Sequence, residues 1–310
     1  MLSQGRAGSA AAMKGARKSL EKFMNGRGLD INDISSRLLT DWQAWIQREA
    51  KTGKRYTGES ASWAYLVQAR TAFNCAKREY NDEDAGLMLI PRSPFSKLER
   101  PECVMLGAGH KRALSLAELI RVLRVPTRSG WAKGNTDFNL ARDCFALSFL
   151  LLGMNPADLY DCTEIVDGRI VYQRVKTRRR RVDNAEMSVR IEPEAAALVE
   201  RYRDPTGARV FSFHTRYSSA KSFYNALNRG MHLLGDATEL PNLQFYAARH
   251  TWATLAANAA GVDKYTVHEA LNHVDPLMRI TDVYIRRDWR RVDEAARAVL
   301  ALLPSDLPWS

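Results

Sequence analysis

The stretch YAARHTWATLAANAAGVDKYTVHEALNHVDPLMRITDVYIRR, Tyr246 to Arg287, sets an arginine, histidines and a tyrosine at intervals along a run of small and apolar residues. Arg249 and His250 are adjacent. Neighbouring helical residues point about 100° apart, so these two cannot address one target. Inside AARHTWATLAA, Arg249 is expected to be partly buried. A buried guanidinium needs an anionic partner, and a phosphate bound bidentately would serve. His273 follows EALN at what reads as a helix end, and Tyr284 lies in TDVYIRR beyond a turn marked by Asp275 and Pro276. Singly, a Tyr or a His in such flanks reads as a core residue; the ordered set asks for a shared target.

The composition points to a polyanion. Lys and Arg number 46 against 35 Asp and Glu, a net charge of +11 and a pI near 9.6. Nucleic acid or a membrane surface would fit such a balance. The longest strongly apolar run, CFALSFLLLGM (Cys144 to Met154), is too short to cross a bilayer and reads as a core helix, so no membrane partner is expected. The start, MLSQGRAGSAAAMKGARKSL, is basic without the apolar centre of a secretory signal, and residues 1–14 read as a flexible basic arm. Cys75, Cys103, Cys144 and Cys162 are widely spaced and match no metal or CxxC pattern. Reduced thiols of a cytoplasmic protein are expected, with no metal and no cofactor.

Helical periodicity dominates the first hundred residues. Leu38, Leu39, Trp42, Trp45 and Ile46 form one apolar stripe, and Trp63, Leu66, Val67, Phe73 and Ala76 another. Arg70, Lys77 and Arg78 lie mainly off the second stripe, on a basic outer face. The proline-containing IPRSPFSKLERPE and the Gly-containing MLGAGHKR then mark a linker. Beyond it, Ser115 and Glu118 form a capping-box pattern, and Asp137 to Gly153 reads as a helix apolar around much of its circumference. GRIVYQRV and EMSVRIEP flank KTRRRR, which predicts a β-hairpin or small sheet with a basic tip at Arg178, Arg179, Arg180 and Arg181. Helices are expected over Ser222 to Leu234 and Val292 to Leu303. The fold class is therefore mainly α with a small β-sheet: a helical domain over 15–99, a linker over 100–112, a mixed α/β domain over 113–290, and a C-terminal helix and tail over 291–310.

The segment ARHTWATLAANAAGVDKYTVHEALNHVDPLMRITDVYI resembles the C-terminal boxes of the tyrosine recombinases, the phage-integrase family, and especially integrases of Bacteroides-type mobile elements. The resemblance covers most of the chain. It implies a SAM-like core-binding domain followed by a tyrosine-recombinase catalytic domain that clamp double-stranded DNA and assemble as a tetramer on it, in some cases with accessory DNA-bending proteins. Arg249 would bind the non-bridging oxygens of a scissile phosphate, and His273 would hydrogen-bond it or assist proton movement. Tyr284 would be the nucleophile of a 3′-phosphotyrosyl link, and Lys176 the general acid for the leaving 5′-oxygen, without metal or ATP. Arg70, Lys77, Arg78 and Arg178 to Arg181 would grip phosphates; the apolar face of the 291–310 segment either packs on its own domain or, as the resemblance implies, docks on a neighbouring protomer. The location implied is cytoplasmic, at the nucleoid of a bacterium or in a phage-infected cell.

Two positions depart from the family pattern. Tyr246 stands where a histidine is usual, and Asn155, after GM, stands where the first catalytic arginine is expected. Tyr246 can still donate to phosphate, but Asn155 brings no charge. Arg174, or less favourably Arg169, would supply a compensating cation or be a solvated strand residue; Asp158 would orient a basic neighbour, cap a helix or form a surface ion pair. Three functions stay open: integration or excision of a mobile element by strand cutting and rejoining, DNA binding by a fold that no longer cuts, and relaxation of supercoils by a type IB-like topoisomerase.

Overall fold

The computed structural model describes residues 7–50, 58–99, 113–130, 132, 134–274, 278, 284–285 and 287–309. The chain divides into two compact units, Met1–Gly109 and His110–Ser310. The 100–112 linker, Cys103, and the turn at Asp275 and Pro276 lie outside the described residues.

The first unit holds α1 (Ala7–Met24), α2 (Ser36–Ala50), α3 (Gly58–Tyr80) and a two-stranded ribbon, β1 (Asn81–Asp82) with β2 (Leu87–Met88). Leu39, Trp42 and Ile46 recur at three- and four-residue intervals along α2 and are buried against Leu66 and Phe73 of α3. Trp42 is completely enclosed, and its ring stacks on Tyr65 at 6.5 Å between centroids. Three expectations change here. Residues 7–14 belong to α1 rather than to a loose arm, because AGSAAAMK is small-residue helix-forming sequence continuous with an amphipathic run. Val67 is exposed, whereas Leu66 and Phe73 of the same stripe are buried and Trp63 and Ala76 pack half-buried against them. The proline-containing run before the linker folds back as a short 3₁₀ turn, Pro94–Lys97, with Phe95 buried on Phe73.

The second unit is built on α5 (Asn135–Leu150), which follows α4 (Leu116–Arg124). The capping box of α4 forms: Ser115 N–H donates to Glu118 Oε2 at 2.7 Å, and Glu118 N–H to Ser115 Oγ at 3.3 Å. Helix α5 is buried from Leu140 through Leu150, as a sequence apolar around much of its circumference requires, and its two buried charges, Arg142 and Asp143, pair at 2.6 Å. After it come α6 (Pro156–Asp161), the strands β3 (Glu164–Val166), β4 (Arg169–Gln173) and β5 (Glu186–Arg190), then α7 (Pro193–Arg201) and α8 (Phe213–Arg216). The chain continues as α9 (Ala220–Ala237), α10 (Ala247–Asn258), α11 (Lys264–Ala270) and α12 (Trp289–Leu300). Helix α9 lies so close to α5 that a Cβ on Gly230 would sit 1.9 Å from the Asp137 carbonyl oxygen. Only glycine fits there.

The sheet is a three-stranded antiparallel meander, β3-β4-β5, rather than a lone hairpin. Its extra strand, Glu164–Val166, turns into β4 through Asp167 and Gly168, both at positive φ. Ile170 and Tyr172 of β4, paired with Val189 and Met187 of β5, form the buried face. The turn beyond Gln173 therefore carries the chain away from the core, toward α6 and α11.

Helix α12 packs on its own unit. Val292 and Val299 are fully buried in the same core as Trp252 and Leu255 of α10, and Leu307 beyond the helix is buried too. The apolar face of α12 is thus covered within its own unit, because its period-3.6 stripe completes the core that α10 leaves open. No helix among the described residues is long and apolar enough to cross a membrane.

Candidate active site

Five elements of the second unit converge on one point. Helix α5 ends at Leu150, and the chain reverses through Leu152 and Gly153, both at positive φ, with Gly153 N–H donating to Ser148 O at 2.7 Å. A Cβ on Gly153 would come within 2.5 Å of Arg249 Cγ and 2.7 Å of Arg249 Cα. This glycine is what lets α10 bring Arg249 against the turn. Arg249 Nη1 then donates to the Gly153 carbonyl at 3.1 Å. Thr251, on the same helix, accepts from Leu114 N–H at 2.8 Å, and Trp252 is locked in the core. The guanidinium is held from both sides.

Its outer nitrogen, Nη2, donates to the Leu271 carbonyl, one residue past the end of α11, and lies 3.4 Å from His273 Nε2. The Leu271 carbonyl also accepts from Arg174 Nη1 at 3.3 Å. Arg174 follows β4 directly and is 8% exposed; Arg249 is 6% exposed. Two guanidinium groups thus meet at one helix C-terminal carbonyl, where the backbone dipole is negative. Of the two readings of Arg174, the solvated strand residue is excluded by its burial. Burial, and then the charge of Arg174, lower the pKa of Arg249.

Asp158 stands on the far side of Arg174. It is almost wholly buried, accepts from Val175 N–H at 2.8 Å and from Asn155 Nδ2 at 3.4 Å, and lies 4.0 Å from Arg174 Nε. Burial raises its pKa. Asp158 therefore tethers the start of the β4–β5 connection and orients Arg174, rather than capping α6. Asn155 occupies the N-cap position of α6 but makes no capping hydrogen bond; its amide is turned to Asp158. Arg169 is bound elsewhere, by Asp293 of α12 at 2.7 Å and by Ser188. It ties the sheet to the last helix and takes no part here.

His273 sits exposed at the rim. Desolvation of its ring, then the charges of Arg249, Arg174 and His268, hold its pKa down to about 4. It is neutral at pH 7 and available as an acceptor. The residue before it, Asn272, is buried in the left-handed region, φ 52°, where Asn is tolerated. Asn272 Nδ2 donates to Ala185 O at 2.8 Å, and its Oδ1 accepts from Arg181 Nη1 at 2.6 Å. This joint between α11 and the hairpin, together with Gly153 and the Leu271 carbonyl, escapes a search for chemically reactive residues. The LNH spacing and the Gly after an apolar helix were its visible traces.

Tyr246, at the N-terminus of α10, is partly exposed, and its ring meets His250 edge-on at 4.9 Å. His250 points outward, as adjacency to the buried Arg249 requires. Lys176 is exposed in the turn two residues past Arg174, with no hydrogen bond among the described residues. Tyr284 is 84% exposed, and most of the chain between it and His273 lies outside the described residues. Arg174, Arg249 and His273 are brought together here; Tyr284 and Lys176 stand at the surface.

The basic tip is less free than its sequence implies. Arg181 is drawn inward to Asn272 and Asp183, and Arg178 pairs with Asp161 at 3.2 Å. Arg179 and Arg180 are exposed. In the first unit, Arg70 and Arg78 are exposed, whereas Lys77 donates to Ser93 Oγ at 3.1 Å. Among the described residues no cluster of His, Cys, Asp or Glu is arranged to hold a metal ion.

No protein-family model matches the chain, and no curated protein matches it. Among solved structures it is similar to lambda integrase (75-356), crystallised as a dimer bound to a COC′ core site: the TM-score is 0.54 at 12% identity over 86% of each chain. It is also similar to a lambda integrase tetramer bound to a Holliday junction, with a TM-score of 0.50 at 14% identity, covering 85% of this chain and 70% of that one. The mainly helical architecture with small sheets is thus the lambda integrase fold.

Proposed function

We propose that this protein is a tyrosine recombinase that cuts and rejoins double-stranded DNA. One observation carries the reading: two buried guanidinium groups, Arg249 and Arg174, meet at the Leu271 carbonyl, and among the described residues the buried carboxylate beside them is Asp158, 4.0 Å from Arg174 Nε. A buried cation in excess costs several kcal/mol, and a phosphodiester anion is the partner that would offset it. The fold shared with lambda integrase and the net charge of +11 support DNA as the source of that phosphate.

In the reaction, Tyr284 Oη attacks phosphorus. A P–O bond to tyrosine forms as the P–O5′ bond breaks, leaving a 3′-phosphotyrosyl link and a 5′-hydroxyl. Lys176 gives a proton to the departing 5′-oxygen, and neutral His273 hydrogen-bonds the phosphate or takes up a proton. Arg249 binds the non-bridging oxygens, whose charge grows in the transition state. Tyr246 donates to the same phosphate. The covalent link conserves the bond for rejoining. Self-association on DNA, as in the lambda integrase tetramer, and the moving of a mobile element belong to this reading.

A nicked suicide duplex, carrying a site selected from random DNA by the protein itself, tests it. Wild type should form a covalent adduct stable to denaturant, and Tyr284→Phe should form none. Asn155 favours a second reading, a DNA-binding protein that does not cut; tight duplex binding with no adduct from wild type would select it. Relaxation of supercoiled plasmid without site preference would instead indicate topoisomerase activity.

A further inference from the structure

We infer that Arg174 is a phosphate-contacting catalytic residue that takes over the charge Asn155 lacks, so that the first-box cation has moved to the end of β4. The inference rests on the recombinase reading above and adds a residue to it. Three features of the geometry carry it. Arg174 and Arg249 reach the same Leu271 carbonyl, so their guanidinium groups are neighbours and can address one anion. Arg174 Nε is buried without a hydrogen-bond partner, and 4.0 Å separates it from the nearest oxygen of Asp158. A buried donor left unpaired is costly unless a ligand completes it. Finally, Asn155 and Arg174 are bridged by Asp158, which receives the amide of one and faces the guanidinium of the other.

That bridge explains why the exchange of position is tolerated. Asp158 is one negative charge between the two positions, and it can balance one added cation. With an arginine at 155, Asp158 would be the natural partner of that side chain; with Asn155, it is left to orient Arg174. One cation beside Arg249 suffices, from either direction. Two would crowd a third guanidinium against a pair whose mutual repulsion already weighs on Arg249.

A charge-relocation test follows. Single-turnover adduct formation on the selected suicide duplex is compared for wild type, Arg174→Ala, Asn155→Arg and the double variant. Loss of a cation that meets the developing charge lowers such rates by about 10²–10³-fold. Arg174→Ala should fall by that factor while still binding the duplex. Adding Asn155→Arg to it should recover about tenfold or more, whereas Asn155→Arg alone should not exceed wild type. A role confined to packing would not be rescued by an arginine entering from another element. If Arg174→Ala does not fold, Arg174→Gln replaces it in the same comparison. Rates of the Arg174 variant within about threefold of wild type, or a folded double variant no faster than the single, would overturn the inference. A second arm separates its failure from that of the recombinase reading: inorganic phosphate is titrated into wild type and Arg174→Ala while the His273 ring is followed by NMR. Phosphate binding that requires Arg174, with no adduct from wild type, would retain the anion site and sink strand cleavage; binding indifferent to Arg174 sinks the inference.

Discussion

His273 is the residue whose protonation state the pocket sets. Its folded pKa of about 4 lies below the ordinary 6.5, so the folded chain binds fewer protons than the unfolded one. The contribution to stability is therefore full above pH 6.5 and is lost as pH falls from there toward 4. His273→Gln should flatten the loss of stability across that window, measured by denaturant midpoints at several pH values; an unchanged slope would remove His273 as its source. A bound phosphate works in the opposite direction, raising the His273 pKa by offsetting the two guanidiniums. Gly153 makes a second residue-scale prediction. Gly153→Ala would strain a φ of 74° and push a methyl into Arg249, so stability should fall by about 1–3 kcal/mol and adduct formation with it. Full activity would show that Arg249 need not sit where Gly153 admits it. At this scale the sequence made Arg249, His273 and Asn155 legible, because their types and order are chemical signals. Arg174 was ambiguous because β-strand ends are as often solvated as buried, and only the third dimension shows Asp158 and Leu271 beside it.

The elements turn those residues into a site through joints, one of which links α11 to the β4–β5 connection. Its hydrogen bonds run from Asn272 to Ala185 and from Arg181 to Asn272. The run KTRRRR reads as a uniformly basic tip, since sequence shows charge but not which side chains turn inward. In the fold, Arg181 is a strut and Arg178 is paired, leaving Arg180 exposed at the end of the turn. Substitutions along the tip should accordingly separate. Arg181→Ala breaks a charged hydrogen bond in a half-buried setting and should lower the thermal midpoint of the second unit and displace His273. Arg180→Ala should leave the midpoint unchanged and reduce the slope of log K against log salt for duplex binding by about one. The reverse assignment, with Arg181 governing the salt slope and Arg180 the stability, would contradict the struts described here. β-Branched and aromatic residues did mark β4, with β5 as a second extended run beyond the basic tip, but a three-residue β3 is too short for its pattern to stand out from the loop around it.

For the whole molecule, the decisive question is whether α12 belongs to its own unit or to a neighbour. An amphipathic stripe says that a helix face will be covered and is silent on which chain covers it. Here Val292, Val299, Leu300 and Leu307 are buried against the core that seats Trp252, and Asp293 holds Arg169 of β4. Four buried aliphatic side chains contribute on the order of 6–12 kcal/mol at about 1.5–3 kcal/mol each, an upper range because the unfolded chain already buries some of that area. A domain is stable by only about 5–15 kcal/mol in total. Deleting 289–310 should therefore abolish the cooperative thermal transition of the second unit, and with it both Arg249-dependent phosphate binding and adduct formation, in the monomer and without any reference to assembly. A helix that docks on a neighbour predicts otherwise: the truncated monomer would melt within a few degrees of the full chain and bind duplex normally, and only its higher-order complexes on DNA would be lost. Differential scanning calorimetry of the two proteins, set beside their assembly on duplex DNA, distinguishes a core helix from a docking arm.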